Sequence, residues 1–206
     1  MMVMRVIAGT FRSRQLVAPR GTLTRPTSDR LRETLFNILS PRVEGCRFVD
    51  LYAGTGAVGI EALSRGAAHV WFAENAEPAL ASIRQNLAAL KIGRSFTLED
   101  RGVGAMLQRL SKLGQTVDLV YVDPPYEAEA EYEGTLSFLG SARGRQTLAA
   151  DALIVAEHSS KAKLAARYGA LEHTRLVKQG DAALSFFSFP ATFPAEDRSL
   201  PPDDGR

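Results

Sequence analysis

The stretch Asp50–Glu61 constrains the fold of this chain more than any other. It follows the apolar residues 48–49, and its glycines, Gly54, Gly56 and Gly59, have the spacing G-x-G-x-x-G. Glycines at this spacing let a strand turn sharply into a helix while a ligand lies against the backbone. A tight turn with no ligand fits the same spacing, and nicotinamide, flavin and S-adenosylmethionine (AdoMet) proteins all use such turns. The pattern therefore predicts a strand–turn–helix unit and leaves its ligand open.

Apolar strand patterns alternate with helical ones through the middle of the chain. Strands are predicted at about 46–51, 69–74, 95–100, 118–123 and 153–158. The fourth of these is nearly all apolar, as is typical of a parallel strand buried on both faces. This order predicts an α/β fold with a Rossmann-like, doubly wound, mostly parallel sheet. The helices predicted between and after the strands lie at about 57–65, 80–90, 103–112, 128–139 and 161–167.

The two ends of the chain depart from this alternation. Residues 4–18 are predicted to form two short strands around a turn at Gly9, and a helix is expected from about Asp29 until Pro41 ends it. Near the C-terminus, residues 171–178 and 182–189 are predicted to form an antiparallel hairpin. The domains predicted are a basic arm with its helix (1–40), one α/β domain (41–190) and a disordered tail (191–206).

Positive charge is concentrated at the N-terminus. Residues 1–32 contain seven arginines, no lysine and one acid, Asp29, for a net charge of +6, whereas the remainder has a net charge of −4. Because a guanidinium group can hold phosphate with two parallel hydrogen bonds, this segment predicts a contact with a polyanion. A solvated surface arm is the simpler alternative. The residues expected to contact phosphate or substrate here are Arg12, Arg14, Arg25, Thr27, Arg30 and Arg32.

Three predicted strands end in acids, and ligands bind beyond the carboxyl ends of strands in such a sheet. Glu74 lies 20 residues after Gly54, which is the spacing of a carboxylate that binds an adenosine ribose. Asp50 would repel a pyrophosphate but suits the ammonium group of a methionine moiety, so AdoMet is the favoured cofactor. Asp100 could bond the adenine amino group, although each acid could also be a solvated strand end. The predicted cofactor-binding residues are Asp50, Ala53, Gly54, Thr55, Gly56, Glu74 and Asp100.

The fourth strand ends in Asp123-Pro124-Pro125-Tyr126. The two prolines fix the backbone and remove hydrogen-bond donors, so a carboxylate and carbonyl groups would face the site. An exocyclic base amine could donate its two hydrogens to Asp123 and to the Pro124 carbonyl, while an extruded base stacks on Tyr126. Asp123, Pro124 and Tyr126 are therefore predicted to be catalytic, with Pro125 beside the substrate. A turn capped by Asp123 is the alternative.

Other classes of protein fit the sequence poorly. The histidines are scattered, and the sulfonium-activated methyl group of AdoMet needs no metal, so no metal site is expected. A single cysteine, Cys46, favours a reducing, cytoplasmic setting. No apolar run approaches the roughly 20 residues that span a bilayer. The protein is also expected to be a monomer.

The two motifs together resemble those of AdoMet-dependent methyltransferases that act on the amino groups of bases. Three flanking stretches narrow the resemblance to the bacterial 16S ribosomal RNA guanine-N2 methyltransferase family, over about residues 4–189; they are 5–16, 25–37 and 61–67. Tyr52 stands where phenylalanine is commoner in that family. The resemblance implies a class I methyltransferase fold. It also implies transfer of one methyl group from AdoMet to the N2 amine of a guanine in 16S rRNA, which leaves S-adenosylhomocysteine.

The same resemblance implies that the substrate is 16S rRNA in a partly assembled small ribosomal subunit, gripped by the arginine-rich arm. Three other functions stay open at this point. An N6-adenine methyltransferase acting on DNA or RNA would need the same chemistry. A nicotinamide oxidoreductase would share the glycine loop, although Asp50 argues against it. A non-catalytic RNA-binding assembly factor would not need the segment Asp123–Tyr126.

Overall fold

The computed structural model describes residues 4–18, 28–112, 114 and 116–190, and the structural statements that follow concern these residues. The helices are α1 (Asp29–Val43), α2 (Ala57–Ser64), α3 (Glu77–Ala89), α4 (Val103–Leu110), α5 (Glu129–Gly140) and α6 (Ala142–Arg145). The strands are β1 (Arg47–Leu51), β2 (His69–Ala73), β3 (Phe96–Glu99), β4 (Val117–Val122), β5 (Leu148–Ser159), β6 (Arg167–Tyr168), β7 (Leu171–Gln179) and β8 (Ala182–Ser188).

The eight strands form one sheet in the order β3-β2-β1-β4-β5-β8-β7-β6. Strands β1 to β5 are parallel, and β8, β7 and β6 continue the sheet in antiparallel pairs. This confirms the predicted mostly parallel α/β fold with its closing hairpin. The chain runs outward from β1 in both directions, so a crevice opens at the carboxyl ends of β1 and β4.

Helices cover both faces of the parallel part of the sheet. Side chains alternate between the faces along each strand, so Phe48 joins one apolar cluster and Val49 the other. The first cluster packs beneath α1, α2 and α3, and the second beneath α4 and α5. Burial on both faces explains why the strands are almost continuously apolar.

The N-terminal segment, residues 4–18, is fastened to α2. The buried Glu61 carboxylate accepts hydrogen bonds from the backbone nitrogens of Ile7 (2.7 Å) and Ala8 (3.0 Å). Ser64 continues this contact, because its hydroxyl oxygen accepts a hydrogen bond from the Phe11 nitrogen at 2.9 Å. The two strands predicted here are reduced to a single antiparallel bridge between Arg5 and Gln15.

Two predicted elements differ from the structure. Helix α1 begins after the Ser28 cap, as expected, but runs past Pro41 to Val43. Pro41 interrupts the last turn alone, where burial of Val43 still stabilises the helical path. Residues 161–167 are not a helix; residues 161–166 form an irregular connection, and Arg167 begins β6. Seven residues with no long apolar face gain little from a helix, whereas Tyr168 is buried against Phe187 when the chain joins the sheet.

Candidate active site

The glycine-rich turn joins β1 to α2 as predicted. Gly54 and Gly56 have φ values of +55° and +74°, in the left-handed region that favours glycine. Gly59 is needed for a different reason, since a Cβ atom there would lie 2.3 Å from the Phe72 ring of β2. The third glycine of the motif therefore permits close packing of α2 on the sheet.

Asp50 is buried, with 2% of its surface exposed, and is the last residue but one of β1, before the glycine loop. Its Oδ2 atom accepts a hydrogen bond from the Gly59 nitrogen at 2.8 Å, so the carboxyl group caps the first turn of α2. The pKa of Asp50 is raised to about 8, mainly by burial; the Gly59 hydrogen bond opposes the rise, and the nearby Glu74 carboxylate adds to it. A cation brought close to this carboxyl group would favour its ionised form.

Glu74 follows β2 and ties the glycine loop to the start of α3. Its Oε2 atom accepts a hydrogen bond from the Gly54 nitrogen at 2.8 Å. Its Oε1 atom accepts from the nitrogens of Asn75 (2.8 Å) and Ala76 (2.9 Å). Two ionised oxygens offer about four lone-pair sites, so one site is left for a ligand hydroxyl group.

A cleft of about 370 Å³ opens at the carboxyl ends of the first four strands. That volume falls within the range typical of small-molecule sites. Glu74 and Pro125 are the predicted site residues in its lining. The full lining consists of Tyr52, Ala73, Glu74, Asn75, Arg101, Gly102, Val103, Gly104, Pro125, Ala128 and Glu131.

The remaining residues of the predicted cofactor loop are engaged with their surroundings. Ala53 is buried, and its nitrogen donates to the Ala73 carbonyl at 2.9 Å. The Thr55 hydroxyl donates to the Met4 sulfur at 3.3 Å, and its carbonyl accepts from the Asn86 side chain at 3.1 Å. The loop is thus held by α3 and by the N-terminal segment.

Asp100 does not line the cleft, contrary to the adenine contact that the sequence predicted. Its side chain is 59% exposed, and its Oδ2 atom lies 3.6 Å from an Arg84 nitrogen of α3. Strand β3 ends one residue earlier, at Glu99, whose buried carboxylate pairs with Arg101 at 2.8 Å. Arg101, two residues after the end of β3, lines the cleft, although it was not among the predicted site residues.

The segment Asp123–Tyr126 follows β4 and lies beside β1. The Asp123 nitrogen is 3.4 Å from the Leu51 carbonyl, and the Asp123 side chain is half-buried. Pro124 is buried, and its carbonyl accepts a hydrogen bond from the Tyr132 hydroxyl at 3.2 Å. A carbonyl has two lone pairs, so the Pro124 oxygen can accept a second donor. Pro125 is exposed in the cleft wall.

Three tyrosines surround Glu157, a residue of β5 that the sequence analysis did not select. The Tyr126 hydroxyl donates to Glu157 Oε1 at 3.0 Å, and the buried Tyr121 hydroxyl donates to Oε2. The Tyr132 hydroxyl also donates to the backbone carbonyl of Glu157, at 2.9 Å. Burial, followed by the Glu157 carboxylate, raises the pKa of Tyr126. One signal was available in the sequence: Glu157 is an acid directly after the apolar run 153–156.

Tyr52 also contributes to the site, although the sequence analysis noted it merely as a departure from a family pattern. It adopts a φ of +62°, which is uncommon outside glycine, directly after β1. Its hydroxyl group lies 2.7 Å from the Thr135 hydroxyl and donates to Glu131 Oε2 at 2.8 Å. These contacts join the glycine loop to α5 across the cleft.

Three of the arginines predicted to bind RNA are exposed: Arg12, Arg14 and Arg30. Arg14 also donates to the Ala89 carbonyl at 3.2 Å. Arg25 and Thr27 lie outside the described residues.

Arg32 is fully buried, contrary to the prediction that it projects towards RNA. One of its nitrogens, Nη2, donates to the Arg5 carbonyl at 2.6 Å and to Asp29 Oδ1 at 2.8 Å. The N-terminal segment folds over this guanidinium group, which explains its burial. Loss of solvent lowers the pKa of Arg32, against the attraction of Asp29 and Glu61.

Within the described part of the chain, no group of three or more His, Cys, Asp or Glu side chains is arranged to hold a metal ion. The described helices are also too short or too polar to cross a bilayer.

The strand order, the glycine turn after β1 and the carboxylate that follows β2 define a class I methyltransferase fold. The model of one protein family, described as conserved hypothetical protein 95, matches residues 4–188. The chain therefore belongs to this family, which is the RsmD family, and the resemblance found in the sequence is confirmed.

Individual proteins are similar along the same region. YlbH of Bacillus subtilis, provisionally named an rRNA methyltransferase, is 34% identical over 89% of this chain and 98% of its own length. Ribosomal RNA small subunit methyltransferase D of Escherichia coli is 38% identical over 59% of this chain and 60% of its own length.

Solved structures share the architecture. The E. coli protein yhhF, provisionally named a methyltransferase, has a TM-score of 0.75 at 31% identity over 91% of this chain and 98% of its own. A Thermus thermophilus 16S rRNA N2 G1207 methyltransferase, bound to AdoMet and guanosine, has a TM-score of 0.68. Its 18% identity covers 92% of this chain and 50% of its own, so it supports the fold alone.

Proposed function

We propose that this chain transfers a methyl group from AdoMet to the exocyclic N2 amine of a guanine in 16S rRNA. The observation that carries the proposal is the position of Asp123–Tyr126 at the edge of the cleft. Pro125 stands in the cleft wall, and Asp123 follows β4 next to the end of β1. A cofactor in the cleft and a base held by Asp123 would therefore meet at the same strand ends.

The residues around the cleft suit AdoMet. Glu74 has one lone-pair site left for a ribose hydroxyl, and the buried Asp50 would ionise as the ammonium group of the methionine moiety approaches it. We assign the cofactor to these two residues and to the backbone of Ala53, Gly54, Thr55 and Gly56. Bound AdoMet would supply a methyl group activated by a neighbouring sulfonium, so the chemistry of the protein is mainly orientation.

On the substrate side, Asp123 and the Pro124 carbonyl are acceptors for the two hydrogens of the base amine. Holding both hydrogens directs the nitrogen lone pair towards the methyl group and counters its delocalisation into the ring. Asp123 is also placed to stabilise the positive charge that develops on this nitrogen during transfer. The face of Tyr126 is proposed to stack on the base once it has left the RNA stack.

The choice of RNA rests on the relatives and on the charge of the chain. The E. coli relative is named for the small-subunit rRNA, and the arm presents Arg12, Arg14 and Arg30 to solvent. We propose that these arginines, with Arg25 and Thr27 of the undescribed stretch, contact RNA phosphates and position the enzyme without reading sequence. A monomer acting in the cytoplasm on a partly assembled small subunit completes the proposal.

Product analysis tests the proposal. Purified protein is incubated with labelled AdoMet and with 16S rRNA or small subunits from cells that lack it, and the nucleosides are then separated by mass spectrometry. N2-methylguanosine at a single position is expected. N6-methyladenosine would favour the alternative base. Tight binding of NADH without AdoMet binding would favour an oxidoreductase, and RNA binding without turnover would favour an assembly factor.

The same preparation tests the arm. If phosphate contacts dominate, the affinity for RNA should fall steeply as salt is added, because bound counterions are released on association. An affinity independent of salt would remove the role assigned to the arginines.

A further inference from the structure

Glu157 is the most enclosed acid near the substrate side of the site, and neither the motif nor the proposed chemistry uses it. It is 3% exposed, at the carboxyl end of β5, and both of its carboxylate oxygens accept hydrogen bonds from tyrosine hydroxyls. A buried carboxylate is costly unless it is hydrogen-bonded, so these partners explain how the site tolerates it. They also mean that the carboxylate holds the tyrosines.

We propose that Glu157 is a positioning residue for methyl transfer, which fixes the ring of Tyr126 at the angle needed to stack on the extruded base. The inference rests on the proposed function in one respect, namely that Tyr126 receives the base. The geometry that supports it does not depend on the substrate.

Tyr126 needs such a contact because the two prolines fix the backbone before it but not the angle of its ring. It lies at the end of a loop after two prolines, before α5 begins, and its side chain is half-exposed. A half-exposed tyrosine in a loop can exchange between rotamers, and a bound hydroxyl favours one of them. The bond from Tyr126 to Glu157 Oε1, at 3.0 Å, connects this ring to a strand in the middle of the sheet.

Two further contacts make Glu157 a rigid support. Tyr121 of β4 donates to the other carboxylate oxygen and prevents the carboxylate plane from turning. Tyr132 of α5 donates both to the Glu157 carbonyl, at 2.9 Å, and to the Pro124 carbonyl, at 3.2 Å. Glu157 therefore helps to position both the predicted acceptor and the predicted stacking ring. It contacts Pro124 through the Tyr132 hydroxyl and contacts Tyr126 directly.

Kinetics separate positioning from general stability. Glu157→Gln keeps the size of the side chain but replaces one acceptor oxygen with an amide that cannot accept. We expect kcat to fall by about tenfold, the effect of losing one charged hydrogen bond, while the Kd for AdoMet stays unchanged. Tyr126→Phe, which keeps the ring and loses the hydroxyl, should cost about as much. The double variant should be no worse than the poorer single variant, because both remove the same bond.

The matched control is Asp118→Asn. Asp118 is also a partly buried strand carboxylate with bonded partners, but it pairs with Arg47 at the amino end of β4, away from the cleft. Its loss should leave kcat unchanged. Additive losses in the Glu157 and Tyr126 variants, or full activity of Glu157→Gln, would overturn the proposal.

A second measurement needs no substrate. In full-length protein carrying 13C-labelled tyrosine, the signal that disappears in Tyr126→Phe identifies Tyr126 among the five tyrosines. Glu157→Gln should shift or broaden that signal and leave the Tyr52 signal in place, whereas Asp118→Asn should alter neither. An unchanged Tyr126 signal overturns the proposal even if activity falls. Inactivity of the wild type on 16S rRNA would instead refute the proposed function, and the Tyr126 signal would still decide the positioning role.

Discussion

The two halves of the site are held in different ways. On the cofactor side, carboxylates bind backbone amides nearby in the chain: Asp50 reaches Gly59, and Glu74 reaches Gly54. On the proposed substrate side, two tyrosine hydroxyls bind the Glu157 carboxylate from 31 and 36 residues away, and a third binds its backbone carbonyl from 25 residues away. The cofactor side is therefore shaped by its own loop, whereas the substrate side is shaped by the sheet and α5. Substitutions on the two sides should consequently affect different measured quantities.

The largest effect is expected at Asp123, on the substrate side. Asp123→Ala removes the acceptor that orients the amine and stabilises its developing charge, so kcat should fall by at least about a hundredfold. The Kd for AdoMet, measured by calorimetry, should change by less than about twofold. Asp151→Ala, which removes an exposed carboxylate on β5, is the control and should change neither. A normal kcat in Asp123→Ala would refute the assigned role.

An effect of intermediate size is expected at Glu74, where the Kd for AdoMet should change and kcat at saturating AdoMet should not. Glu74→Ala leaves the nitrogens of Gly54, Asn75 and Ala76 without their acceptor and removes the proposed ribose partner. The Kd for AdoMet should rise by about ten- to a hundredfold, which corresponds to about 1.4–2.7 kcal/mol.

Saturating AdoMet should restore most of the kcat of Glu74→Ala. The exposed Glu77, on the same helix start, provides the control in Glu77→Ala. A loss of kcat that AdoMet cannot restore would show that the two halves are not separable.

The last effect concerns the pH dependence of stability and not the kinetics. The folded-state pKa of Asp50 is raised to about 8 from an ordinary value of 3.8, so between these values the folded protein keeps a proton that the unfolded chain releases. The contribution of this group to stability is therefore lost as pH rises through that window, by at most about 1.4 kcal/mol per pH unit.

Urea unfolding of wild type and Asp50→Asn between pH 5.5 and 7.5 measures this dependence. The wild type should lose stability with rising pH relative to the variant, which cannot ionise at this position. Parallel curves would contradict the raised pKa.

The difference between the halves also explains what the sequence could predict. The glycine turn, Asp50 and Glu74 were accessible because their partners lie within one strand–turn–helix unit. The Asp123–Tyr126 segment was accessible for the same reason, as a single run of chain after an apolar strand. The sheet followed from the alternation of apolar runs. Residues 161–167 were mistaken for a helix because local propensity was weighed without the tertiary contacts of Tyr168.

Predictions from the sequence were wrong where segments distant in the chain pack around a side chain. Arg32 looks like a surface arginine on α1, but the chain near Arg5 folds over it. Asp100 was predicted to end β3, but the strand ends one residue earlier, at Glu99. Glu157 belongs to no recognisable sequence motif. Its contacts with the three tyrosines form when the fold brings β4, the segment after it, β5 and α5 together.

Helix α2 has a consequence for the geometry of any complex with RNA. One end of this helix emerges from the glycine loop, and the other holds the arm through Glu61 and Ser64. Its eight residues rise about 12 Å, so the helix fixes the distance between the proposed methyl-donor site and the arm proposed to bind RNA. Inserting or deleting one residue between the glycine loop and Glu61 would rotate Glu61 about the helix axis by about 100°. Its hydrogen bonds to the arm would then be lost, so the contact with the arm requires this number of residues.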